Sequence, residues 1–66
     1  MNNINFLIKE NKIYLYANNI ENIAKIINKE ITDNNYILLH YNELSEYTKK
    51  LTNNGYICYV LNKSSL

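Results

Sequence analysis

The spacing of apolar residues changes once, near Ile20, and that change fixes most of what this chain can fold into. Ile4, Phe6 and Ile8, and then Ile13, Leu15 and Ala17, recur at every second position on either side of the polar break Glu10-Asn11-Lys12. From Ile20 the period lengthens, and Ile20, Ile23, Ala24, Ile27 and Ile31 fall at third and fourth positions. Period two sends alternate side chains to opposite faces of a strand, whereas a period near 3.6 gathers them into one stripe of a helix. A β-hairpin followed by an amphipathic helix is therefore expected. A two-residue loop would make the pairing sum odd, placing Ile4, Phe6, Ile8, Ile13, Leu15 and Ala17 on one face and Leu7, Tyr14 and Tyr16 on the other. The helix has Asn18 or Asn19 as N-cap, with Asn18 and Glu21 spaced as a capping box, and Glu21 and Lys25 add a favourable i,i+4 pair. Ile26 lies off the apolar stripe, either tucked under a neighbouring element or open to a partner.

Two further elements follow. The run Tyr36-Ile37-Leu38-Leu39-His40-Tyr41 has almost no polar interruption, which reads as a strand covered on both sides, inside the sheet. Asn42 then caps a helix whose first turn holds Glu43 and Glu46 and whose last turn holds Lys49 and Lys50, an order that complements the helix dipole. Its inner stripe is Leu44, Tyr47, Thr48 and Leu51. Gly55 supplies the left-handed residue that ends it, and Tyr56 to Leu61 forms the last strand, with Asn62 to Leu66 as a loose tail. The predicted fold is α/β (α+β): one domain over residues 1–66, built as a two-layer sandwich with a four-stranded mixed sheet in ββαβαβ order. Both helices lie on one face, and the strand–helix–strand steps imply parallel neighbours. Two helices can cover only that face, leaving Leu7, Tyr14 and Tyr16, together with residues of the later strands, on the bare one.

Size limits the core, because a chain of 66 residues buries a small share of its surface. Below roughly 70–80 residues a core seldom contributes more than about 3–5 kcal/mol unless disulfides, a metal or association assist it. Cys58 is the only cysteine, which rules out an intramolecular disulfide and any multi-cysteine zinc site. Association is the remaining aid. The segment Met1 to Glu10 has no basic stretch and only a short apolar run, so neither a signal peptide nor a membrane span is expected and the chain reads as cytoplasmic. Heavy use of Asn, Ile, Lys and Tyr without Arg or Pro suits an AT-rich genome, such as that of a low-GC bacterium, a phage or a mobile element.

Chemistry is sparsely provided. One His, one Cys, one Asp and no Arg leave little for catalysis, which needs a nucleophile or base beside an orienting partner. A Cys58–His40 dyad requires their strands to be neighbours, and His40 or Glu43 would have to drive any hydrolase. No metal-ligand spacing or phosphate-cradling glycine loop is present, so no cofactor is expected. The leading expectation is a non-enzymatic protein-binding module that also pairs with itself through the bare face. It would be a small inhibitor or regulator of a larger intracellular machine, for example a phage or mobile-element inhibitor of a host nuclease. Leu7, Tyr14, Tyr16 and Ile26 are its candidate contacts. The alternative is a single-stranded nucleic-acid binder that stacks bases on the same tyrosines. A net charge of +1, with acidic residues scattered among the lysines, weighs against it.

Overall fold

A computed structural model describes residues 3–62. The elements run β1 (Asn3–Lys9), β2 (Lys12–Ala17), α1 (Ile20–Ile27), β3 (Ile37–His40), a 3-10 turn (Tyr41–Glu43), α2 (Leu44–Asn53) and β4 (Ile57–Asn62). The hairpin has the expected register, with Ile8 opposite Ile13 and Leu7 opposite Tyr14. Its two-residue turn places Glu10 at a φ of 58°, a left-handed conformation that costs a residue with a Cβ about 1–2 kcal/mol.

The four strands form a mixed sheet in the order β3-β2-β1-β4. β1 pairs antiparallel with β2 and parallel with β4, and β2 pairs antiparallel with β3. The two-layer sandwich is as the sequence predicts; the neighbours are not. β3 is an edge strand instead of an interior one, β2 and β3 are antiparallel across α1, and β3 and β4 lie at opposite edges. Segment 28–36 explains the reversal. At ~3.3 Å per residue its nine residues can span more than the ~12 Å length of the eight-residue α1, so the chain can cross back before β3 begins.

One face of the sheet carries the core. Ile4, Phe6, Ile13, Leu15, Ile37 and Leu39 are buried there beneath Ile20, Ile23, Ala24 and Ile27 of α1 and Leu51 of α2, so both helices cover the same face. α1 stops earlier than its apolar stripe suggests. Asn28 turns left-handed at φ 56° and its N–H closes on Ala24, because Asn tolerates that region better than other residues with a side chain. Ile31 therefore leaves the helix but still packs partly buried against the core. The Asn18–Glu21 box does not form. Asn19 is the N-cap without a side-chain capping bond, and its amide instead donates to the hydroxyl of Tyr56, as does that of Asn22. Tyr56 is thus fully accommodated just before β4, the one buried tyrosine of the seven.

α2 begins through the 3-10 turn, not on an Asn42 cap, with Glu43 accepting the His40 backbone N–H at 2.9 Å. It ends as expected. The Gly55 N–H bonds Thr52 O at 3.0 Å and the Tyr56 N–H bonds Leu51 O at 3.1 Å, a Schellman pairing whose outer residues Leu51 and Tyr56 are both buried in the core. Gly55 has a φ of 90° and open space where a Cβ would stand, so backbone conformation alone selects glycine here. Asn62, read as tail, is the last residue of β4, and the rest of that tail lies outside the described residues. No helix among the described residues is long and apolar enough to cross a membrane.

Candidate functional site

Among the described residues no helix lies over the second face of the sheet. Strand register aligns its side chains in rows that cross the sheet. Leu38, Tyr14, Leu7 and Leu61 are successive cross-strand partners and form an apolar row over all four strands. Beside it lies a polar-aromatic row, in which Asn5 pairs with Tyr16 on one side and Tyr59 on the other. On the opposite flank His40, Lys12 and Lys9 are partners in turn. Leu38, Tyr59 and Leu61 are 42, 47 and 50% exposed, more than the isolated apolar residue that every surface carries.

Tyr36 organises the tyrosines. It precedes β3 and is set by a tight turn: the Asn35 N–H bonds Thr32 O at 3.0 Å, and the Thr32 N–H and hydroxyl both bond Tyr36 O, at 2.9 and 3.1 Å. Asn35 accommodates the turn at φ 61°. The Tyr36 ring then meets Tyr14 edge-on at 4.9 Å between centroids and Tyr16 tilted at 5.6 Å, arrangements favoured by the aromatic quadrupole. Tyr14 is therefore half-buried by a neighbouring ring while Tyr16 stays exposed. Around Tyr16 a cavity of about 400 Å³ is lined by Asn3, Asn5, Ala17, Asn18 and Asn35, a wall of uncharged amides. A second, of about 310 Å³, lies at the basic end between Lys12, Leu38 and His40 and reaches Lys29.

Charge is segregated. Among the described residues no Asp or Glu occupies the open face: Glu10 is in the hairpin turn, Glu21 on α1, Glu30 and Asp33 in the connection, and Glu43 and Glu46 about the start of α2. Glu43 is the hub of the only salt bridge among those residues, 3.2 Å from the Lys29 ammonium, and it also accepts the Tyr47 hydroxyl at 3.2 Å. The His40 backbone N–H first, and then Lys29 and Tyr47, hold its carboxyl below the usual range. Its bond to Lys29 raises that ammonium's pKa, and burial raises that of the Tyr47 phenol. This network ties the end of α1 to the start of α2 on the helix side.

Of the residues singled out from sequence, Leu7, Tyr14 and Tyr16 come together on the open face. Ile26 does not join them; it lies in the helix layer, partly buried against the core. Leu38, Tyr36, Tyr59 and Leu61 were not identified from sequence, because the unbroken apolar runs around β3 and β4 hide which alternate residues face outward. The Cys58–His40 dyad cannot form. Their strands are at opposite edges, three strand spacings or about 14 Å apart. The Cys58 thiol faces α2, 3.9 Å from Thr48 O and Thr52 Oγ1, where burial raises its pKa and so lowers its thiolate fraction. Among the described residues no group of three or more His, Cys, Asp or Glu side chains could hold a metal ion. Comparison with family models, curated proteins and solved structures gives no match.

Proposed function

We propose that the chain is a small non-enzymatic protein-binding module that docks the open face of its sheet on another protein, as an inhibitor or regulator of a larger intracellular machine. The supporting observation is the Leu38–Tyr14–Leu7–Leu61 row, which no helix among the described residues covers and which exposed Tyr16 and Tyr59 flank. Rigid aromatic rings among aliphatic side chains are the composition of interface centres, where few residues carry most of the binding energy. The complementary surface is apolar, with acidic groups opposite Lys9 and Lys12 and hydrogen-bonding groups opposite the asparagine-lined cavity. Affinity capture from a host lysate with wild-type chain, a Leu7→Asn/Leu38→Asn variant and a Lys25→Ala variant tests it. A protein held by the wild type and Lys25→Ala but lost from the double variant is expected; retention by all three rejects the face.

A second reading has its own support. The open face lacks acid among the described residues and sets a Lys9–Lys12–His40 row beside its tyrosines, which favours single-stranded nucleic acid more than the net charge does. Salt separates the two. Contact with about two phosphates gives a slope of roughly −1.4 in log K against log salt, whereas an apolar protein contact holds nearly constant.

A further inference from the structure

The two edges of the sheet differ in how they meet solvent. β3 is four residues long and ends on His40. β4 is six residues long, Ile-Cys-Tyr-Val-Leu-Asn, with no charge and no proline, and its pairing with β1 runs from Asn3↔Ile57 to Ile8↔Asn62 without a bulge. Among the described residues nothing pairs with its outer side. Proteins protect such edges with lysines, prolines, bulges or covering elements, because the unpaired N–H and C=O groups accept another strand; among the described residues β4 has none of these. It also exposes apolar side chains on both faces: Ile57, Tyr59 and Leu61 on the open side, and Val60, 50% exposed, on the helix side. Exposure of Val60 stands out because its neighbour on that face, Cys58, sits beneath Thr48 and Thr52 of α2.

We infer that β4 pairs antiparallel with β4 of a second copy of this chain, about a two-fold axis at Tyr59, joining two four-stranded sheets into one of eight. The strand is complementary to itself in this register. Ile57 meets Leu61 of the second copy on the open face, Tyr59 meets its own counterpart, and Cys58 lies against Val60 on the helix face. No like charges are brought together, which cross-strand pairing penalises. Val60 comes to lie beside the second copy's Cys58 and so under that copy's α2, which closes the gap left in the isolated chain. The apolar row ending at Leu61 continues into the other copy's Ile57. A strand edge is a small interface. The ~800 Å² per partner of a standard complex would be about a sixth of the 4810 Å² exposed here, so the pairing is expected to be weak and concentration-dependent, to be sought between about 1 and 100 µM.

Sedimentation velocity on the full chain across that range, with cysteine cross-linking, tests the pairing. Wild type is expected to shift from monomer to dimer. Tyr59→Lys, which brings two ammonium groups together at the axis, stays monomeric with unchanged thermal unfolding at low concentration. In a Cys58→Ala background Tyr59→Cys oxidises to a disulfide-linked dimer and Leu61→Cys does not, because only position 59 meets itself within the Cα separation a disulfide accepts. Leu7→Asn/Leu38→Asn, which disables the open face, leaves the dimer intact, so failure of the edge and failure of the face are distinct results. A chain monomeric throughout that does not cross-link at position 59 overturns the inference. So does a dimer that survives Tyr59→Lys, or one that cross-links equally through 59 and 61.

Discussion

The two faces of this sheet are made from nearly the same alphabet of residues and have opposite fates. On one, Phe6 and Leu15 are cross-strand partners sealed under two helices; on the other, Leu7 and Tyr14 are partners one position along and remain half-exposed. Hydrophobicity by itself therefore does not decide burial in so small a chain. Supply of covering elements does, and two helices of eight and ten residues are enough for one side only. The uncovered side keeps apolar surface that the fold of the isolated chain buries only in part.

The contrast is sharpest in paired substitutions. Phe6→Ala should cost about 3–5 kcal/mol, comparable to the whole stability of a domain this size, and so abolish the cooperative urea transition followed by circular dichroism. Leu7→Ala, its immediate neighbour, should cost about 1 kcal/mol or less; equal losses at the two positions would erase the distinction between the faces. The helix layer is probed next. Gly55→Ala should destabilise by about 1–2 kcal/mol through its positive φ, and Gly55→Asn should recover much of that loss, since no steric contact is involved.

Much of this asymmetry was legible in the sequence, and the rest was hidden for identifiable reasons. Period two on both sides of a two-residue turn fixes the hairpin register, so Leu7, Tyr14 and Tyr16 could be assigned together. Ile37 to Leu39 and Ile57 to Leu61 are unbroken apolar runs without usable parity, and they resemble strands covered on both sides. They are instead edges whose outward residues are also apolar, the property that makes the open face a candidate surface. Tyr36 was missed because its position depends on the Thr32–Asn35 turn, and the end of α1 because Asn28, without a glycine, adopts the left-handed conformation.

Smaller effects refine the comparison where the faces share structure. The hairpin turn serves both, and Glu10→Asn should raise stability by about 0.5–1 kcal/mol by easing the left-handed residue, read as a higher urea midpoint with an unchanged slope. The smallest effect belongs to Glu43, on the helix side alone. Its folded pKa lies below the unfolded value, so its contribution is fully present above the usual glutamate range and is lost as pH falls through the lowered one. The urea midpoint should therefore decline with acidification from about pH 5 downward, and Glu43→Gln should flatten that decline without affecting the open face.

Methyl relaxation by a soluble paramagnetic probe, measured on dilute protein, examines the asymmetry most directly. Leu7 and Leu38 should relax strongly while Leu15, Leu39 and Leu51 stay protected. Equal protection of both sets would mean that something covers the second face, and the surface proposed for binding would not exist.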